Sequence, residues 1–245
     1  MAKVGAPEKL IVKNKRLDGR KLEEFRPIIV EAGVLRRAGG SARFEFGNTK
    51  ALAAVYGPRK VHPRHMMEPK RAILRCKYFM APFSTQERIR PGYSRRGIEI
   101  SKVITEALTC ATFLEDNPKT AIDTFVEIMQ ADASTRCAGL NAVSLAMADA
   151  GIPMKDLIAS CSVGKVDGKI VLDVSGVEDN YGEVDMAVAT IGGTEKIVLL
   201  QVDGILTIDE FSKALELAVK GCKEIFQKEK GALKTRYATT GGEEE

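Results

Sequence analysis

Residues 121–150, AIDTFVEIMQADASTRCAGLNAVSLAMADA, change hydrophobic period half-way, and that change constrains the fold more than any other feature. In the first half Ile122, Thr124, Val126 and Ile128 point one way and Phe125 and Met129 the other. A period of two rich in β-branched residues predicts a strand. In the second half Cys137, Leu140, Val143, Ser144 and Met147 fall three or four apart, with small Ala and Gly between them. That spacing predicts a buried helix running to Gly151 and stopped by Pro153.

Ala131-Asp132-Ala133-Ser134-Thr135-Arg136 joins the two. A helix start exposes unpaired N–H groups and carries partial positive charge. Ser134 or Thr135 can cap it, and Arg136 adds a full charge on a forked donor set. Dipole and cation repel unless an anion lies between them, so this junction is a candidate phosphate site. An ordinary N-cap beside a solvated arginine is the simpler alternative.

Charge is distributed unevenly. The chain is 245 residues long with net charge +4, yet residues 58–102 hold twelve Lys/Arg against Glu68, Glu87 and Glu99. Residues 173–185 hold five acids and no base. A basic face beside an acidic cluster suggests a polyanion laid over carboxylates, with an ordinary solvated surface as the alternative. At 44% hydrophobic and 29% charged residues, the composition is that of a globular chain. No apolar run approaches membrane-span length and the first ten residues hold no apolar core of a leader, so a cytoplasmic protein with no membrane partner is expected. Five scattered cysteines without a C-x-x-C read as reduced thiols.

Local signals order the rest. Residues 1–15 read as a flexible arm, and residues 28–56 as a meander of strands turning at Gly39-Gly40 and Gly47-Asn48. Ala72–Met80 is a further strand, and Ser94 caps a helix ending before Asn117-Pro118. After Pro153, Val166-Asp167-Gly168 marks a hairpin, and an acidic loop at 175–183 leads into strands Val184–Ile191 and Lys196–Val202. Thr207-Ile208-Asp209-Glu210 is a capping box opening a last helix to about Lys228. The tail 231–245 reads as disordered. Segregated runs of strands and helices predict α+β, with mostly antiparallel sheet, in one domain over 16–230 whose parts are 16–150 and 151–230.

Other residues are candidates for chemistry. Arg95 and Arg96 open the helix after Ser94, where positive charge is disfavoured unless an anion bridges it. Asp179 and Asp185 flank Tyr181-Gly182-Glu183; two carboxylates at a bend bind a divalent cation or supply a general acid, or form a solvated acidic turn. His62-Pro63-Arg64-His65 holds both histidines, and Pro63 spoils helical metal geometry, so a cationic loop touching nucleic acid is the better reading.

With RLDGR (16–20), GGSARFEFGNTKALAAVYGP (39–58), HPRH (62–65), APFSTQER (81–88), SRRGIEISKVI (94–104), QADASTR (130–136), ADAGIPMKDLI (148–158) and EDNYGEVDMAVA (178–189), the chain resembles the phosphorolytic exoribonucleases of the RNase PH family. It is most similar to their catalytic members in the archaeal RNA exosome, over residues 16 to 237. The resemblance implies an RNase PH-like (ribosomal protein S5 domain 2-like) fold and 3′→5′ RNA degradation with inorganic phosphate as co-substrate, releasing nucleoside diphosphates. It implies that Ser134, Thr135 and Arg136 hold phosphate, and that Arg95 and Arg96, with Arg88, hold the single-stranded RNA. By the same resemblance His62, Arg64 and His65 would line the mouth of a channel, and Asp179 and Asp185 would form the acidic centre, as general acid or as ligands of Mg²⁺ or Mn²⁺. The partners it implies are a homologous non-catalytic subunit completing a heterohexameric ring (a trimer of dimers) and RNA-binding cap subunits. A stand-alone homohexamer trimming tRNA ends and a non-catalytic ring subunit are the alternatives. Family members usually carry Gly where this chain has Ser134, a substitution that a left-handed backbone there would make costly.

Overall fold

The computed structural model describes residues 9–240. The described residues form strands β1 (Ile11–Val12), β2 (Lys15–Arg16), β3 (Ile28–Ala32), β4 (Gly40–Phe46), β5 (Thr49–Lys60), β6 (Ile73–Met80), β7 (Thr120–Gln130), β8 (Ile158–Val166), β9 (Lys169–Leu172), β10 (Val184–Ile191) and β11 (Ile197–Gly204). The α-helices are α1 (Arg95–Ala111), α2 (Thr135–Asp149), α3 (Gly176–Tyr181) and α4 (Ile208–Thr240). One sheet has the order β3-β4-β5-β7-β6 and a second the order β11-β10-β8-β9. Pairing is antiparallel except between β6 and β7, where a parallel pair requires a crossover that α1 supplies. The architecture is the expected α+β.

The strand-to-helix stretch lies at the centre. Ile122, Val126 and Ile128 of β7 are buried, Phe125 is half-buried and Met129 is exposed, following the alternation of period two. On α2 every residue from Cys137 to Met147 is buried, because both sheets contribute neighbours to it. Its polar residues serve the second sheet. Asn141 Nδ2 donates to Ser160 O at 2.9 Å, Ser160 N donates to Asn141 Oδ1 at 2.7 Å, and Ile158 N donates to Ser144 Oγ at 2.7 Å. These bonds satisfy buried polar groups and set β8 in register beneath α2.

Three expectations change. The arm predicted over 1–15 is, for its described residues, the β1–β2 ribbon; Leu10 and Ile11 are buried against Val166, Val171 and Val174, and their N–H groups donate to Asp167 Oδ2. The acidic loop at 175–183 contains α3, opened by a capping box between Ser175 and Glu178. The tail expected from 231 is helical through Thr240, its end tied by the Tyr237 hydroxyl, which donates to Asp149 O at 3.0 Å. Residues 1–8 and 241–245, which complete the expected arm and tail, lie outside the described residues. Among the described residues no helix is long and apolar enough to cross a membrane, and all five cysteines are free thiols.

Candidate active site at two helix starts

The loop between β7 and α2 takes an unusual backbone. Ala133 and Ser134 both have left-handed conformations, with φ of 57° and 53°. Left-handed residues with a Cβ cost on the order of 1 kcal/mol each and persist only where surrounding bonds hold them. Here Thr49 Oγ1 donates to Ala133 O at 2.8 Å, and Asp132 N donates back to that hydroxyl at 3.0 Å. The Ser134 hydroxyl, expected to cap α2, makes no cap bond. It lies 2.7 Å from Ser162 Oγ and accepts from Arg26 Nη2 at 3.1 Å.

The first turn of α2 is therefore capped by no side chain. Arg136 Nε is buried without a partner, and Thr135 Oγ1 and the Tyr78 hydroxyl are buried beside each other with no other partner. Buried polar groups are almost always paired, so donors left this poorly satisfied at a helix start describe a place for a ligand with acceptor oxygens. Arg136 is anchored by Nη2, which donates to Glu99 Oε1 at 2.9 Å.

The second helix start differs. The Ser94 hydroxyl does cap α1, accepting from Gly97 N at 3.0 Å. Arg95 and Arg96 stand exposed in the first turn, and neither enters an ion pair among the described residues. A cleft of about 900 Å³ is lined by Arg88, Arg96, Thr135 and Asp179, together with the 131–133 backbone and the start of α3.

Asp179 and Asp185 belong to separate elements, α3 and β10. Asp179 is exposed to the cleft, whereas Asp185 is half-buried and does not line it. Burial and then the charge of Asp179 push the Asp185 carboxyl up to about 6, against the pull of Arg136 and Arg96, with Asp203 adding to the rise. A carboxyl in that range is protonated in a minor but substantial share of molecules near neutrality, far more than an ordinary aspartate, and can donate that proton. Among the described residues no group of three or more His, Cys, Asp or Glu side chains is arranged around a metal position. Two carboxylates nevertheless suit an ion that keeps several waters and shares substrate phosphate oxygens.

Residues 24–153 match the first domain of the 3′ exoribonuclease family, RNase PH, and residues 156–221 match its second. The chain belongs to the RNase PH family of 3′ exoribonucleases. It is 59% identical to exosome complex component Rrp41 of Thermococcus kodakarensis over 96% of this chain and 95% of that one. It is 54% identical to the protein of the same name from Archaeoglobus fulgidus over 97% and 93%. Rice Rrp46 shares the fold with a TM-score of 0.78 at 24% identity, covering 88% of this chain and 98% of that one. The Archaeoglobus fulgidus exosome with RNA bound to the active site has a TM-score of 0.76 at 22% identity, covering 88% and 92%.

In this RNase PH chain, Arg88, Arg96, Ser134, Thr135, Arg136, Asp179 and Asp185 converge, and Arg95 stands one residue outside the cleft wall. His62, Arg64 and His65 do not join them. They lie exposed in the loop before β6, whereas the cleft opens beyond Met80 at its other end. The eight residues of β6 separate the two by roughly 25 Å. Part of the basic run is also neutralised: Arg59 and Arg75 both pair with Asp123, at 2.6 and 2.7 Å, and Arg71 pairs with Glu68.

Two of the five acids in 173–185 serve structure instead of chemistry. Glu178 pairs with Arg16, with Nε to Oε1 at 2.7 Å, and Asp173 pairs with Arg26 at 2.7 Å and Arg20 at 3.3 Å. Burial raises the Glu178 carboxyl, but Arg16 and the Ser175 N–H more than offset it and hold it below the usual range. Removing one partner would strand a buried charge at a cost of about 3–5 kcal/mol. Sequence patterns do not show these three arginines, because their partners stand about 150 residues away, beyond any local spacing.

Proposed function

We propose that this chain is the catalytic subunit of an archaeal exosome-type complex that degrades RNA from the 3′ end by phosphorolysis. Supporting it most directly is one juxtaposition: an anion-ready helix start, with Thr135 and Arg136, in charge contact with an acid raised to about 6. The relatives named as exosome components, 54–59% identical over nearly the whole chain, favour this setting over a stand-alone tRNA-trimming enzyme. A subunit that only bound RNA would gain nothing from Asp179 and Asp185, which repel phosphodiesters.

Phosphorolysis brings two anions together, so the site must supply donors and cations. Phosphate would take the Thr135 hydroxyl, the α2 N–H groups and Arg136, competing there with Glu99. Arg95, Arg96 and Arg88 would neutralise the 3′-terminal phosphodiester. A phosphate oxygen attacks phosphorus, the bond from phosphorus to the neighbouring nucleotide's 3′ oxygen breaks, and that oxygen takes the Asp185 proton. The released nucleoside diphosphate carries the attacking phosphate, and the shortened RNA ends in a 3′ hydroxyl. Burial, and after it the charge of Asp179, raises the share of Asp185 that is protonated between turnovers. Mg²⁺ or Mn²⁺ held by Asp179 and Asp185 would instead stabilise charge on the leaving oxygen. His62, Arg64 and His65, set back along the sheet, would guide the strand towards the cleft. The ring partner, a homologous non-catalytic subunit, and RNA-binding cap subunits would complete the path.

End-labelled oligo(A) incubated with the assembled protein, with and without phosphate, tests the reading. Nucleoside diphosphate formed only with phosphate supports it; monophosphate formed without phosphate would mean water is the nucleophile and would sink it.

A further inference from the structure

Arg26 lies outside the cleft on the buried side of the phosphate loop. Its guanidinium is spread over four acceptor atoms of three residues. Nη1 donates to Asp132 O, Nη2 donates to Ser134 Oγ at 3.1 Å, and Nε and Nη2 donate to the two oxygens of Asp173 at 2.9 and 2.7 Å. The Arg26 N–H also donates to Asp173 Oδ2 at 2.8 Å. The residue is 6% exposed and Asp173 is 1% exposed, so this fork is fixed. Ser134 completes the arrangement from above: its hydroxyl reaches Ser162 Oγ at 2.7 Å and donates to Val174 O at 3.2 Å.

We propose that Arg26 is a positioning residue for phosphate capture, which holds the left-handed Ser134 backbone so that the first turn of α2 faces the cleft. The inference rests on the reading of Ser134–Arg136 as the phosphate site. Its physical basis is the identity of residue 134. Glycine adopts φ of +53° without cost, whereas serine relaxes out of it unless its side chain is held. The hydroxyl of Ser134 has been turned away from the helix start and into the Arg26–Ser162 clasp. It exchanges a capping role for a bracing one. Arg26 and Ser162 stand far apart in the sequence, before β3 and in β8, so the clasp also binds the first family domain to the second around this loop.

The test is a double-mutant cycle in the active assembly, read as the phosphate dependence of oligo(A) phosphorolysis. Arg26→Gln should raise the KM for phosphate about tenfold, with kcat and the KM for RNA changed by less than about threefold. In a Ser134→Gly background the same substitution should raise it by less than about threefold, because glycine needs no brace. An equal rise in both backgrounds, or a fall in kcat at unchanged phosphate KM, overturns the inference. Where Arg26→Gln does not fold, Ser162→Ala takes its place. It should raise the phosphate KM measurably in the serine background and not in the glycine one, and no effect in either overturns the inference. Arg136→Ala separates the two levels. An unchanged phosphate KM in that variant removes the phosphate site itself, whereas a raised one with an additive Arg26 effect removes only the brace.

Discussion

Asp132 Oδ1 accepts the backbone N–H of Gly176 at 2.9 Å, and this bond ties the β7–α2 loop to the first residue of α3. Asp179 lies three residues further along that helix. A Cβ on Gly176 would stand 2.3 Å from the same oxygen, so only glycine allows the approach. The loop that offers donors and the helix that offers an acid are thus held at one spacing.

Breaking that tie should cost turnover more than binding. Asp132→Ala and Gly176→Ala should each lower kcat about tenfold, since Asp179 loses its fixed place beside Asp185. Steady-state kinetics with thermal denaturation in parallel checks this. Full kcat in both folded variants would show that α3 needs no such tether.

Asp185→Asn should abolish phosphorolysis and leave RNA affinity nearly unchanged, as a general acid commonly supplies about 10²–10⁴-fold. At saturating phosphate, kcat of the native chain should fall as pH rises through about 6, where Asp185 loses its proton. A flat profile, or activity within about threefold of the native chain in the asparagine variant, would remove Asp185 from proton transfer.

Arg136→Ala should chiefly raise the KM for phosphate. Replacing Arg95 and Arg96 together by alanine should chiefly weaken RNA binding and flatten its salt dependence, by about one unit of slope per lost phosphate contact. Binding titrations at several salt concentrations, beside phosphate titrations of activity, separate the two. Equal effects on RNA affinity from both variants would mean that the helix starts do not divide the labour.

The chain by itself should be nearly inactive and gain activity on mixing with the homologous ring subunit proposed as its partner. Phe83, Tyr93 and Ile98, beside the cleft, are 70%, 74% and 59% exposed, an apolar surface that an interface would cover. Light scattering followed by a phosphorolysis assay checks this. A fully active homohexamer would favour the tRNA-trimming alternative.

Glu229 on α4 is fully buried, and neither carboxylate oxygen has a hydrogen-bond partner. Burial, then the charges of Cys222 and Asp156, raise its carboxyl well above the usual range. The unfolded chain ionises this group first, so its effect is destabilising, growing from about pH 4.5 upwards to the raised native value. Glu229→Met should therefore raise Tm at pH 8 and change it little at pH 4. Calorimetry at the two values checks the sign; a lower Tm at pH 8 would mean an ionised Glu229 stabilises α4.

Local patterns determined much of this protein. Periods of two and of three to four residues marked β7 and α2, turn residues marked the meander and the β8–β9 hairpin, and Thr207 to Glu210 marked the start of α4, where the Thr207 N–H donates to Glu210 Oε2 at 2.9 Å. The motif residues named the cleft. Tertiary structure alone decided which charges are spent inside the fold. Asp173 and Glu178 look like Asp179 and Asp185 in sequence, yet the first two are buried in ion pairs with distant arginines, whereas Asp179 faces the cleft and Asp185 lies half-buried near it. It also decided that Ser134 does not cap its helix, and that residues 231–240 are helical. The reason is the same in each case: desolvation and pairing depend on what folds against a residue, and here those partners stand roughly 90 to 160 positions away.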